Sequence, residues 1–242
     1  MKTSFCLISA LCVLVLASPS RGLTLEEIVG HMNETSAALK DIQAAAKVTK
    51  YDADFDEAFL SSRKLYFQRP HLYRIDTFRQ QKGKDVLTEQ FIVGKDFILR
   101  TWPPTHHGEL RRLSPDEIER MANDRNDPIS FFGRSLEDIR KDFSIEQVAP
   151  PKDTPADSAV LAIRPTNPEM QFEYSRVEMV IDTKTWLPRT IKSFVKGKDE
   201  NLDWVLYEFS DVKVNPGLKT EAIFPERIPG IRIEVVEEKK EK

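Results

Sequence analysis

Arg69 is the residue whose type and position most need a chemical explanation. Across Leu65-Tyr66-Phe67-Gln68-Arg69-Pro70-His71-Leu72-Tyr73-Arg74-Ile75-Asp76, one face of two consecutive extended runs carries Leu65, Phe67, Arg69, Tyr73 and Ile75. The intervening Tyr66, Gln68, Arg74 and Asp76 suit solvent, and Pro70 breaks the two runs apart. A guanidinium among apolar neighbours offers five hydrogen-bond donors and a charge that stays on. Two uses fit that chemistry: an edge arginine that snorkels to water, or a residue that grips something brought onto the apolar face.

Other chemistry-bearing residues assemble into nothing comparable. The four histidines, His31, His71, His106 and His107, have no cysteine partner and no two-ligand helical spacing, so no metal site is expected; His106 and His107 are assigned to a Pro/Thr/Gly loop. Carboxylate pairs such as Glu26-Glu27 and Glu117-Glu119 fall on polar helix faces and are expected to be solvated charge. There is no Gly-x-Ser-x-Gly elbow and no phosphate loop. A non-enzymatic protein with no cofactor is the expectation.

The chain's start sets its expected compartment. Lys2 precedes an apolar run from Phe5 to Ala17, followed by small residues at Ala17, Ser18, Ser20 and Gly22, the pattern of a secretory signal over residues 1–22. Both cysteines, Cys6 and Cys12, lie within it and are expected to fill its apolar run, so an exported chain from residue 23 to 242 carries no thiol. No small residue directly precedes a cysteine at the end of that run, so no lipid anchor is expected. One domain fits this length, and the net charge of −3 leaves no electrostatic footprint for nucleic acid.

The elements that would position Arg69 follow from periodicity. Thr24 and Glu27 make a capping box ahead of Leu25, Ile28, Val29, Met32 and Leu39 at helical spacing. Ile42, Ala44, Ala46 and Val48 then alternate on one strand face, where the small alanines leave room for something bulky. Further alternating runs are expected at Val86–Val93 and Phe97–Trp102, joined by the turn Gly94-Lys95-Asp96. A helix capped by Ser114 and another from Leu136 to Phe143 occupy the middle, flanking apolar Ile129, Phe131 and Phe132. Strands resume at Val160–Arg164, Tyr174–Asp182, Arg189–Val195 and Asp203–Val214, with Ile231, Ile233 and Val235 last, and their polar faces imply antiparallel pairing.

In Phe67-Gln68-Arg69-Pro70, Val93-Gly94-Lys95-Asp96-Phe97, Ile181-Asp182-x-x-Thr185-x-Leu187-Pro188 and Phe224-Pro225 through Pro229-Gly230-Ile231, in that order, the chain resembles the LolA-type carriers of outer-membrane lipoproteins. The resemblance implies a mainly β fold with helices: an unclosed, curved antiparallel β-barrel with helices forming a lid over a hydrophobic cavity. It implies a periplasmic protein that binds acyl chains of lipoproteins or other lipid, with an inner-membrane release complex and an outer-membrane acceptor as partners. A monomer is expected. Mapped onto this chain, the cavity lining is Leu65, Phe67, Tyr73, Ile75, Phe91, Phe97, Leu99, Val177, Met179 and Ile181, under a lid that includes Met32, Ile129, Phe131 and Phe132. Arg69 matches the arginine that bonds lid carbonyls and latches the empty carrier. The charged stretch from Glu109 to Asp127 departs from the compact carrier pattern. The same architecture also fits a different role, a periplasmic lipid-sensing or envelope-stress regulatory module.

Overall fold

The computed structural model describes residues 22–70, 72–122, 136–166, 173–195, 203–224 and 229–236. All but the last residue of the expected signal over residues 1–22, together with His71 and the expected lid residues Ile129, Phe131 and Phe132, lie outside them.

The described chain opens with helix α1 (Leu25–Ala38), started by the capping box in which Thr24 and Glu27 satisfy each other's backbone N–H groups. Among the described residues, twelve strands follow: β1 (Asp41–Asp52), β2 (Glu57–Gln68), β3 (Leu72–Gln81), β4 (Lys84–Val93), β5 (Phe97–Trp102), β6 (His107–Arg112), β7 (Phe143–Gln147), β8 (Ser158–Pro165), β9 (Tyr174–Asp182), β10 (Pro188–Val195), β11 (Trp204–Val214) and β12 (Arg232–Val236). Helices α2 (Pro115–Ala122) and α3 (Leu136–Arg140) lie between β6 and β7, and the short α4 (Thr220–Ile223) precedes β12. All twelve strands form one curved sheet, ordered β12-β6-β5-β4-β3-β2-β1-β11-β10-β9-β8-β7. Its ends do not meet, which makes an unclosed barrel. Bulges between Gln43 and Ala45, Thr77 and Phe78, and Pro188 and Thr190 interrupt the pairing, each a local source of bend and twist.

Alternation decides which residues face α1. On the inner face, Ala44 pairs with Leu65, Leu65 with Ile75, and Ile75 with Phe91. On the other side of β1, Val48 pairs with Tyr207, Tyr207 with Ile191, Ile191 with Met179, and Met179 with Leu161. Ile28, Val29 and Met32 of α1 join these residues in one apolar core, together with Ile139 and Phe143. Each large side chain buried there contributes about 1.5–3 kcal/mol.

A second, smaller core lies on the outer face and corrects two expectations. Ile92 pairs with Leu99, and both pack with Leu72, Tyr66, Phe97, Ile223 and Phe224. Phe97 and Leu99 are therefore on the opposite side of the sheet from Phe91, because the turn at Gly94 shifts the parity between β4 and β5. A Cβ at Gly94 would lie 2.3 Å from the Phe97 ring, so the turn needs glycine. The outer residues of the Arg69 region are likewise not left in water. Asp76 is 4% exposed, held by Arg74 through two bonds of 2.8 and 2.6 Å and by Gln90 Nε2 at 2.7 Å, while Arg74 also donates to the Ala222 carbonyl of α4. Sequence parity found the face but could not show that a segment from far along the chain covers it.

The middle and the sheet edge hold four more corrections. His106 adopts a left-handed backbone, and His107 opens β6 instead of lying in a loop. β6 pairs antiparallel with β5 and parallel with β12, so the sheet is antiparallel everywhere except this last pair. The helix expected to reach Phe143 ends at Arg140, and Phe143 begins β7. Glu117 is buried, contrary to its assignment as solvated charge: its carboxylate accepts from the Ser114 N–H at 2.7 Å and from Arg111.

Met179 is fully buried. Met179→Ala is expected to lower stability by about 2–5 kcal/mol in urea titrations with an unchanged slope, and a loss below about 1 kcal/mol would contradict the packing described. The Glu117 carboxyl is held below its ordinary pKa, first by the Ser114 backbone N–H, then by the Ser114 hydroxyl and Arg111. A depressed folded pKa adds stability above the ordinary carboxylate range that is lost as pH falls through the folded value. The melting-temperature gap between wild type and Glu117→Gln should therefore be constant from about pH 5 to 8 and close below about pH 4; a gap independent of pH would remove Glu117's ionised form from the account.

Candidate functional site

Arg69 stands one residue beyond β2. Its backbone N–H donates to the Lys40 carbonyl at 2.9 Å, extending the β1–β2 ladder past the last strand residue. Its side chain is exposed at this rim, yet the guanidinium turns to the end of α1: Nη2 donates to the Ser36 carbonyl at 2.6 Å and lies 3.4 Å from the Ser36 hydroxyl. Ser36 belongs to the last turn of α1, where its carbonyl also accepts the capping Leu39 N–H at 3.2 Å and the dipole favours a cation. That turn has no basic residue of its own. Arg69, just past β2 and 33 positions away in sequence, supplies the missing positive end.

A second tie to the same helix end was not visible in the alternation. Asn215, just past β11, has a left-handed backbone, and its amide side chain donates to the Ala38 carbonyl at 3.0 Å and accepts from Lys40 N–H at 2.7 Å. The signal that could have found it is local: Asn is one of the few non-glycine residues at home at positive φ, and Asn215-Pro216-Gly217 is turn chemistry. Two further contacts lie along α1. His31 stacks on Trp186 with ring centroids 4.3 Å apart, and Glu26 lies 3.9 Å from Arg140. The helix is pinned at its C-terminal end, by Asn215 at the junction with β1 and by Arg69 one turn earlier.

The lining residues divide by depth. Leu65, Ile75, Val177, Met179 and Ile181 are buried in the inner core, and Met32 meets them from α1. Phe67, Tyr73 and Phe91 are half-buried against the same core, with the Tyr73 and Phe91 rings 5.8 Å apart. Phe97 and Leu99 belong to the outer core and are not brought to this site. Between the two flanks runs the narrow strip of Ala44 and Ala46 on β1. Nothing in the alternation pattern singled out Arg63, which lies on the inner face opposite Ala46. Its guanidinium carbon is 5.4 Å from the centre of the Tyr207 ring, with Nη1 3.4 Å from the phenol oxygen. Arg63 and Tyr207 stand on opposite sides of β1, and the small Ala46 is what lets one reach over to the other.

Among the described residues, no three His, Cys, Asp or Glu side chains converge as a metal site would require, and no helix is long and apolar enough to cross a membrane. His107 is occupied by Trp102, ring centroids 5.6 Å apart, and by Glu109 at 3.4 Å. What the arrangement offers is an apolar surface, a helix laid on it, and two separate arginines.

No protein-family model and no curated protein sequence matches the chain. Solved structures align with it over most of its length. An uncharacterised conserved protein from Thermus thermophilus aligns over 88% of this chain and 98% of its own, at 11% identity and a TM-score of 0.49. A putative outer-membrane lipoprotein-sorting protein domain from Vibrio parahaemolyticus aligns over 83% and 97%, at 13% identity and 0.41. A LolA superfamily protein from Nitrosomonas europaea aligns over 84% and 98%, at 10% identity and 0.41. These are likenesses in the path of the chain, and they say nothing of what it binds.

Proposed function

We propose that this chain is an exported, non-enzymatic carrier that shelters the acyl chains of lipoproteins on the inner face of its sheet and delivers them to the outer membrane. One observation supports this reading above the others: an apolar sheet face is closed by a single helix whose C-terminal end is tied to the sheet rim by Arg69 and Asn215. A helix held in that way can swing. In this reading Asn215 marks the pivot, and the Arg69–Ser36 bond is the catch that opens first.

The magnitudes allow an acyl chain to do the opening. Replacing Ile28, Val29 and Met32 on the inner face forfeits about 1.5–3 kcal/mol for each. The Arg69 bond, charge-assisted but exposed, adds about 1 kcal/mol. A chain of some fifteen methylenes gains about 0.8 kcal/mol for each one buried, about 12 kcal/mol in all. The two sums are of similar size, so cargo could be both accepted and given up. In the periplasm such a carrier would take cargo from an inner-membrane release complex and yield it to an outer-membrane acceptor, with no covalent step.

The reading is tested by mass spectrometry of whatever co-purifies with the chain from a native envelope, together with binding of a fluorescent acyl probe. Bound lipid or acylated protein is expected; a protein that is empty and indifferent to the probe sinks the carrier role. Arg69→Leu removes the catch and should tighten probe binding by a few-fold to tenfold while slowing its release to acceptor vesicles. Arg69→Lys should fall between, because lysine retains the charge at the helix end without the guanidinium fork. Unchanged affinity and release in Arg69→Leu would show that Arg69 is only a rim residue.

A further inference from the structure

Arg63 has no use in the latch-and-pivot scheme. Its side chain is half-buried on a face that is otherwise apolar along β1, opposite Ala46 and between Leu65 and Ser61. Other half-buried arginines among the described residues have carboxylates: Arg74 has Asp76, Arg111 has Glu117, Arg176 has Glu178, and Arg189 has Asp157 and Asp182. Among the described residues no carboxylate lies within ion-pairing distance of Arg63. Its Nε is buried with no hydrogen-bond acceptor, and its hydrogen-bond contact among those residues is the 3.4 Å approach of Nη1 to the Tyr207 hydroxyl.

A buried donor without an acceptor costs free energy, and a desolvated cation without an anion costs more. The Tyr207 ring, 5.4 Å from the guanidinium carbon, offsets part of this through its negative π face. It supplies no oxygen to the Nε side of the fork. The same inner face holds another orphan: Ser193 on β10, next to the row of Tyr207 and Ile191, is 5% exposed with an Oγ that has no partner among the described residues. Glu89 and Arg100, also on this face by register, bond each other. Arg63 is thus a positive charge with unmet donors, set beside the Ala44–Ala46 strip.

We infer that Arg63, backed by Tyr207, is an anion-recognition site for the carboxylate or phosphate of an amphiphile whose acyl chain lies along the inner apolar face. The fork of a guanidinium matches two oxygens of either group, and the low surrounding polarity strengthens the pair. The inference rests on the inner face being an acyl-chain site and narrows its cargo to acyl compounds that carry an anionic head. No covalent chemistry is involved.

The test uses the full mature chain and competition against a fluorescent acyl probe, with dodecyl phosphate, dodecanoate and dodecanol below their micelle concentrations and inorganic phosphate alone. Both anionic ligands should bind at least tenfold tighter than dodecanol, and inorganic phosphate should not compete at millimolar concentration. Arg63→Met, which keeps much of the apolar stem, should bring all three dodecyl ligands to parity while leaving dodecanol's affinity unchanged; Arg63→Gln serves the same purpose if the methionine variant does not fold. Equal affinities in the wild type, or an anion preference that survives both substitutions, would overturn the site while leaving the acyl carrier intact. Competition by inorganic phosphate as strong as that by dodecyl phosphate would overturn the amphiphile. Failure of every dodecyl ligand to compete would overturn the carrier and this site together.

Discussion

Everything in this fold turns on the contact between α1 and the inner face of the sheet. The sheet is one layer thick and curved, so its inner apolar row has no second sheet to pack on. Ile28, Val29 and Met32 are what the helix offers to cover Ile42, Ala44, Ala46, Val48 and the β8–β10 residues beyond. The contact is apolar and non-directional. Directional contacts at Arg69 and Asn215 fix the C-terminal end of the helix to the rim of the sheet.

The parts of this arrangement that were legible in the sequence are those set by local rules. The capping box at Thr24 and Glu27 starts α1 where the spacing of Leu25, Ile28, Val29 and Met32 says it should. Alternation in β1, β2, β3 and β9 found the inner face residue by residue, including the buried Val177, Met179 and Ile181. Phe97 and Leu99 went to the wrong side because alternation was carried through a turn, and a turn resets parity. β6 was hidden because His107–Arg112 carries few apolar residues; its place in the sheet comes from a neighbour in sequence, β5, and from one more than a hundred residues away, β12.

Polar residues were the harder part, and for one reason. Sequence patterns assign charge to water, whereas Glu117 and Asp76 are buried and Arg63 is half-buried, each because some other element arrives to cover it. Arg69 was noticed by its apolar company, yet its side chain lies exposed at a rim and works on a backbone carbonyl. Arg63 was not noticed, though it is the more desolvated of the two. Its neighbour across the β1–β2 ladder is an alanine, and a small residue leaves no mark in an alternation pattern beyond being apolar.

The parallel pair of β6 and β12 has a mechanical meaning. To go from β11, in the middle of the sheet, to β12 at its edge, the chain must traverse seven strand spacings, about 34 Å. It does so on the outside, touching down on Gln68 of β2, Arg74 of β3, Phe97 of β5 and Gly108 of β6 in turn. The described residues of this crossing thus tie four strands, β2, β3, β5 and β6, together from behind. A barrel braced on its back in this way cannot make room by spreading its staves.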